Sequence, residues 1–212
     1  MRSKLSDYQT EQLQALEGVI EYISGLKDAD ILKLKHKLST YLSFRSEVNQ
    51  FLTTHFKELC TQSCYQSQLS ACCTRDGIIT FFADVVINAI QSTQIEREQL
   101  IANLKTGYSR NKCIYLGDSG CQWQIKPLVC EMFLCQKAED VVFKDNPSLE
   151  KEWNRLKQRA KQFRWPDRPV LFDELEQIFI DAGYSSSLMY LHKSPGLLRI
   201  KNRSQKAIRS QP

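Results

Sequence analysis

The chain has 212 residues, of which 42% are hydrophobic and 25% are charged, a composition typical of a globular protein with one substantial core. No segment approaches the roughly 18 consecutive apolar residues of a transmembrane helix. The amino terminus carries no apolar leader, so we expect a cytoplasmic protein without a membrane partner.

The net charge of +5 is concentrated at the carboxyl terminus. Residues 199–212 hold five of the 29 basic residues and no acid, and the basic residues that remain are balanced by the 24 acidic ones. We interpret this segment as a flexible basic tail. A short basic run is a nonspecific feature, so we expect no nucleic-acid partner.

Two helices are predicted for residues 1–59. Apolar residues recur at helical spacing in the first helix, which Gly25 then ends. From Asp30 a longer amphipathic pattern continues to the first cysteine, as one helix or two in line. His55 lies on it five residues before Cys60, and we interpret it as a helix residue rather than a metal ligand.

Residues 77–105 are predicted to form a helical hairpin. Thr93 and Glu96 have the spacing of a capping box, which separates a helix over 77–91 from a second over 94–105. An antiparallel arrangement of the two would bring Cys73 back toward Cys113.

After a loop-like region interrupted by Gly117, Gly120 and Pro127, two more helices are predicted. One begins at Pro147 and runs to about Phe163, and the other spans 170–182 and is stopped by a glycine. On the latter, three acidic residues are expected to form a solvated face: Asp173, Glu174 and Glu176.

The predicted fold class is therefore mainly α, a helical bundle with an irregular cysteine-rich metal-binding loop region. We divide the chain into four parts. They are the N-terminal helices (1–59), the cysteine-cluster region with its helical hairpin insert (60–135), the C-terminal helices (136–198) and the basic tail (199–212).

All eight cysteines fall within the cysteine-cluster region, in two blocks of four. The first block is Cys60, Cys64, Cys72 and Cys73, and the second is Cys113, Cys121, Cys130 and Cys135. A reducing compartment disfavours structural disulfides, and thiolates are soft ligands that suit zinc and iron–sulfur clusters. Metal binding is the favoured interpretation, with redox-active thiols and simple packing as alternatives.

The residues also resemble a known family. Four features carry the resemblance: the vicinal Cys72-Cys73, Thr80 opening a helix that contains Asp84, the stretch Cys113-Ile-Tyr-Leu-Gly-Asp-Ser-Gly-Cys121-Gln-Trp, and the closing stretch Lys126-Pro-Leu-Val-Cys-Glu-Met-Phe-Leu-Cys135. Together they are similar to the pattern of the YkgJ-type zinc- or iron-chelating cysteine-cluster family. The similarity covers residues 60–135. Two features depart from the family pattern: the seven residues between Cys64 and Cys72, and a lysine at position 126 where arginine is commoner.

The resemblance implies metal chelation, and relatives attached to flagellin lysine methylases suggest an iron–sulfur cluster of the 4Fe-4S type. The best match to the family pattern gives Cys73, Cys121, Cys130 and Cys135 as the leading ligands. Iron–sulfur is favoured over zinc because the glycine-containing loop before Cys121 can turn amide groups toward sulfur, and because no histidine completes a site.

The sequence shows no phosphate-binding loop, no nucleophile triad and no paired catalytic carboxylates, so the catalytic residues are unknown. Tyr115 and Trp123 are interpreted as apolar packing around the cysteines. We expect a noncatalytic metal-binding protein that acts with a protein partner. The alternative is an iron–sulfur-dependent redox or protein-modifying enzyme.

Overall fold

A computed structural model describes residues 5–62, 80–106, 113–117, 120–164 and 170–190. Within these ranges the structure is built from helices and one short antiparallel strand pair, which confirms the mainly-α fold class. The elements are α1 (Asp7–Ser24), α2 (Asp28–Cys60), α3 (Phe82–Gln91), α4 (Gln94–Lys105), β1 (Leu116–Gly117), β2 (Gly120–Cys121), α5 (Leu128–Glu131), α6 (Gln136–Phe143), α7 (Pro147–Arg164) and α8 (Leu171–Asp181). None of the described helices is long and apolar enough to cross a membrane.

Helix α3 lies at the centre of the fold. Its residues 82–90 are all buried, and it packs against both α1 and α8. The long α2 contacts α6, and its Phe51 stacks on Trp153 of α7 with ring centroids 5.5 Å apart. The core is thus a helical bundle in which α3 is covered on several sides.

The predicted boundary between α3 and α4 is confirmed. Thr93 accepts a hydrogen bond from the Glu96 amide, and the Glu96 carboxylate accepts one from the Thr93 amide at 2.7 Å. The two helices make few contacts with each other. Helix α4 packs mainly against α1, and α3 packs against α1 and α8. The described helix begins at Phe82, and the predicted start at 77 lies outside the described residues.

The two predicted C-terminal helices are confirmed as α7 and α8, and Gly183 ends α8 with a positive φ of 86°. The predicted solvated acidic face was wrong for two of its three residues. Asp173 and Glu176 are buried, because α8 packs against α3 and α7. Hydrogen bonds from the Val170 amide to Asp173 and from the Tyr190 amide to Glu176 compensate for the lost hydration. The basic tail at 199–212 lies outside the described residues.

Candidate functional site

The first half of the second cysteine block is a turn followed by a small hairpin. The Leu116 amide donates to the carbonyl of Cys113 at 3.0 Å, which closes the turn, and Leu116 is then paired with Cys121 across the strands. Gly120 has a φ of 116°, a backbone conformation that residues other than glycine rarely adopt. The hairpin therefore returns Cys121 toward Cys113.

One backbone amide in this turn donates to sulfur. The Tyr115 N–H lies 3.4 Å from Cys113 Sγ. Amide hydrogen bonds of this kind stabilise a thiolate and the sulfur ligands of metal centres. The expectation that the glycines before Cys121 turn amides toward sulfur concerns a later part of the loop and stays a prediction.

Two polar side chains of α3 hold the segment that leads to Cys130. Asn88 Oδ1 accepts from the Ile125 amide, and Asp84 Oδ1 accepts from the Leu128 amide, each at 3.0 Å. Asp84 and Asn88 are one helical turn apart, so they present their oxygens on the same face of α3. The backbone that enters α5 is thereby fixed on the central helix.

The same Asp84 carboxylate joins two distant parts of the chain. Its second oxygen accepts from the Phe81 amide at 3.0 Å. Phe81 follows Thr80, where the chain arrives from the first cysteine block, and Leu128 lies two residues before Cys130. One buried carboxylate therefore connects the end of the first block's chain to the helix that carries Cys130.

Burial raises the pKa of Asp84 to about 6, even though the amides of Leu128 and Phe81 and the charges of Arg45 and Arg164 act in the opposite direction. The carboxylate is only 2% exposed, so the loss of hydration outweighs these partners. This connection is consequently sensitive to pH near neutrality.

Helix α2 fixes the other side of α5 through Arg45. This guanidinium forms a buried ion pair with Glu131, the residue after Cys130, and donates to the Lys126 carbonyl at 2.6 Å and to Tyr41 Oη at 2.5 Å. Arg45 is 3% exposed and Glu131 is 8% exposed. Helices α2 and α3 together hold residues 125–131 at both ends, and Cys130 lies within that segment.

Three cysteines of the second block are close enough to Tyr8, near the start of α1, to influence it electrostatically. Burial raises the pKa of Tyr8, a hydroxyl interaction with Thr80 lowers it, and negative charge on Cys113, Cys130 and Cys121 raises it further. Each of these thiols therefore lies within electrostatic range of one phenol. Thr80 brings the chain that follows the first block to the same place.

Tyr115 and Trp123 form an apolar wall beside these cysteines, as the sequence predicts. They are 2% and 6% exposed, and their rings meet edge to face with centroids 5.2 Å apart. Tyr115 Oη donates to Gln12 Oε1 at 3.3 Å, which ties the cysteine turn to α1. Burial raises the pKa of Tyr115 well above the ordinary value for tyrosine, so its hydroxyl keeps its proton.

Cys60 lies apart from this group. It ends α2, about 22 Å along the helix axis from Arg45, at the α-helical rise of 1.5 Å per residue. The chain that follows Cys130 runs beside α2 in the same direction, because Phe143 of α6 contacts Phe56 with ring centroids 5.6 Å apart. Cys60 is therefore near the end of α6, whereas Cys130 is near the middle of α2.

Local structure describes Cys135 and His55, the other two candidate residues. Cys135 is the N-cap residue of α6, and its carbonyl accepts from the amides of Ala138 and Glu139. His55 packs against Phe51 with ring centroids 4.9 Å apart, in keeping with the interpretation of this histidine as an ordinary helix residue.

The remaining predicted ligands, Cys64, Cys72 and Cys73, lie outside the described residues. Across the part of the chain that the structure does describe, no three His, Cys, Asp or Glu side chains form a group able to hold a metal ion. Cys73 is seven residues before Thr80, a separation that extended chain spans at up to roughly 3.5 Å per residue.

Thiols are ligands of zinc and iron–sulfur centres, although Cys113, Cys121 and Cys130 do not by themselves form a group able to hold a metal ion. Three cysteine sulfurs, one amide directed at sulfur and an apolar wall are the surroundings that such centres use. The hydroxyls of Tyr8 and Thr80 are buried there, next to one another.

The polar residues that fix this site have a signal in the sequence, although only Asp84 was singled out from it. Arg45 lies seven residues after Leu38 and seven before Leu52, so it interrupts the apolar stripe of α2 at a core position. Asp84 and Asn88 are isolated polar residues in an otherwise apolar helix. A polar residue at a core-facing position predicts a buried hydrogen-bonding role.

No protein-family model, no curated protein and no solved structure matches this chain. The similarity of residues 60–135 to the YkgJ-type family stays a prediction from the sequence.

Proposed function

We propose that this protein binds a metal centre, an iron–sulfur cluster or zinc, through cysteine thiolates that include Cys113, Cys121 and Cys130. The observation that carries the proposal is the double hydrogen bond of Asp84, which joins the chain leaving the first cysteine block to the helix of Cys130. When bound, the metal supplies cross-linking of these segments and, if it is an iron–sulfur cluster, an electron-transfer capability.

The protein's own residues act by holding the thiols in place. Asp84 and Asn88 fix the approach to Cys130, and Arg45 fixes its far side through Glu131. The Tyr115 amide stabilises negative charge on Cys113. Such outer contacts orient metal ligands and typically change metal affinity by about 10–100-fold when lost.

The proposal assigns Cys72 or Cys73 as the source of a further ligand. The vicinal pair is the part of the first block closest in sequence to Thr80, and Thr80 adjoins Tyr8 at the second-block cysteines. The proposal leaves Cys60 out of this centre, since Cys60 ends α2 about 22 Å along the helix axis from Arg45. A protein partner is also part of the proposal and rests on the sequence alone.

Serine substitution tests the assignment. We expect Cys113→Ser, Cys121→Ser and Cys130→Ser each to lose most of the bound metal, because a hydroxyl is a much weaker ligand for zinc or iron than a thiolate. Metal content is measured by elemental analysis after anaerobic purification, and far-UV circular dichroism verifies that each variant is folded.

Cys60→Ser is the matched control. Cys60 is half-buried like the other described cysteines, so the substitution removes a thiol from a similar environment. We expect its metal content to equal that of the parent protein. Equal metal content in the Cys130→Ser variant and the parent would overturn the proposal, and metal loss confined to Cys60→Ser would move the site to the end of α2.

A further inference from the structure

The turn and hairpin of the second cysteine block bring Cys121 back toward Cys113. Leu116 connects the two, because its amide donates to the Cys113 carbonyl at 3.0 Å and its backbone is paired with Cys121 across the strands. The ends of such a turn lie less than about 7 Å apart, and paired residues of antiparallel strands lie about 4.5–5.5 Å apart. Two cysteines that neighbour the same residue in this way can reach the separation of roughly 4.4–6.8 Å between α carbons that a disulfide requires.

Both sulfurs also act on one phenol. Burial raises the pKa of Tyr115 well above its ordinary value, and negative charge on Tyr8, Cys113 and Cys121 raises it further. The two cysteine sulfurs are therefore close enough to the Tyr115 hydroxyl to influence it electrostatically. Cys113 and Cys121 are half-buried, so part of each residue stays open to a small solute.

Cys113 is the better nucleophile of the pair. The Tyr115 amide donates a hydrogen bond to Cys113 Sγ at 3.4 Å. A hydrogen bond to the charged form of a group favours that form, and the thiolate rather than the thiol attacks an oxidant. Cys113 is therefore the sulfur that reacts first.

Cys130, the other nearby thiol of this block, is held more firmly. The Leu128 amide is bonded to Asp84, and the residue after Cys130 forms the buried ion pair with Arg45. A shift of the Cys130 backbone toward another sulfur would strain both contacts. Cys121 instead lies in a two-residue strand, so a local movement of the hairpin is enough to bring it to its neighbour.

We propose that Cys113 and Cys121 are a redox pair, which a peroxide converts to a disulfide. The Cys113 thiolate attacks one peroxide oxygen, so that an S–O bond forms, the O–O bond breaks, and the other oxygen leaves and takes up a proton. The Cys121 thiol then attacks the Cys113 sulfur, so that the S–S bond forms, the S–O bond breaks, and hydroxide leaves as water with the Cys121 proton. Two electrons pass from the sulfurs to the peroxide. In a reducing compartment such a disulfide is transient and serves to sense oxidants.

The inference concerns metal-free protein, and the full chain tests it after treatment with a chelator and complete reduction. An equimolar amount of hydrogen peroxide is added, the remaining thiols are alkylated, and the protein is digested with a protease that cleaves before Asp118. That cut separates Cys113 from Cys121 in the sequence. We expect the peptides from the two sides of the cut to stay joined until a reductant is added. The intact protein, measured before alkylation, should be lighter by two hydrogen atoms.

Serine variants identify the two partners. Cys113→Ser and Cys121→Ser should each lose the joined peptides, whereas Cys130→Ser, the matched control from the same block, should keep them. In Cys121→Ser the sulfenic acid on Cys113 lacks its partner, so a dimedone probe should label Cys113 in that variant and much less in the parent. Far-UV circular dichroism verifies that each variant is folded.

Each contrary result overturns a stated part of the inference. Separate peptides in the oxidised parent would show that no such disulfide forms. Joined peptides that persist in Cys121→Ser and vanish in Cys130→Ser would assign the bond to Cys130. A dimedone label that avoids Cys113 in Cys121→Ser would refute its role as the attacking sulfur. None of these results decides the proposed function, because metal content is measured separately in the reduced protein.

Discussion

The buried ion pair between Arg45 and Glu131 is the contact whose loss should disturb the fold most. Replacing Arg45 by methionine leaves the Glu131 carboxylate uncompensated in the interior and removes the donors to the Lys126 carbonyl and to Tyr41 Oη. Breaking one partner of a buried pair costs about 3–5 kcal/mol. That is a large fraction of the roughly 5–15 kcal/mol that stabilises a typical domain.

The assay is urea unfolding of metal-free protein, followed by circular dichroism and by tryptophan fluorescence. Agreement between the two probes establishes two-state unfolding and permits comparison of free energies. We expect Arg45→Met to lower the free energy of unfolding by about 3–5 kcal/mol, and the double variant Arg45→Met/Glu131→Met to recover much of this, because an apolar pair of similar volume removes the stranded charge.

A second arginine of the protein supplies the control. Arg159 of α7 pairs with Glu47 of α2, but both side chains are about a third to a half exposed. Exposed pairs contribute about 0–1 kcal/mol, so Arg159→Met should change the free energy of unfolding by no more than that. Equal effects of Arg45→Met and Arg159→Met would refute the description of the Arg45 pair as buried and structurally required.

Three smaller predictions concern pH, backbone conformation and capping. Burial raises the pKa of Asp84 to about 6, above its unfolded value near 4, so the contribution of this group to stability is fully present below about pH 4 and is lost as the pH rises through 6. The free energy of unfolding should therefore fall between these pH values, and Asp84→Asn should remove that fall. An unchanged pH dependence in the variant would assign it to another group. Gly183→Ala should lower stability by about 1 kcal/mol because of the positive φ, whereas Gly25→Ala, at φ −85°, should be neutral or slightly stabilising; thermal unfolding of the pair decides. Thr93→Ala should cost about 1 kcal/mol through loss of the capping box, while Thr54→Ala on the exposed face of α2 should stay within about 0.5 kcal/mol, and similar melting temperatures for the two would contradict the role of Thr93.

The helices could be predicted because their signals are local. Apolar spacing, the Thr93 capping box and the Gly183 stop specify where helices begin and end without reference to the rest of the chain. The short helices α5 and α6 were not predicted, since they are held by contacts from distant residues. Leu128, for example, begins α5 with its amide bonded to Asp84.

The composition of the candidate site was only partly predictable for the same reason. The cysteines and the wall of Tyr115 and Trp123 lie in one stretch of sequence, and the pattern of that stretch indicates thiol chemistry. Tyr8 and Arg45 reach the site through tertiary packing of α1 and α2, which no local pattern specifies. Glu176 was predicted to be exposed and is buried, because a charge pattern on a helix does not reveal which face the bundle covers.

Metal binding by the parent protein is tested by elemental analysis combined with the optical spectrum of anaerobically purified protein. We expect close to stoichiometric iron with acid-labile sulfide and broad visible absorption, or close to stoichiometric zinc in a colourless protein. In either case removal of the metal should lower the melting temperature, because binding free energy stabilises only the folded chain. Protein that contains neither metal after anaerobic purification, and whose melting temperature does not respond to added zinc or to iron and sulfide, would contradict the proposed function.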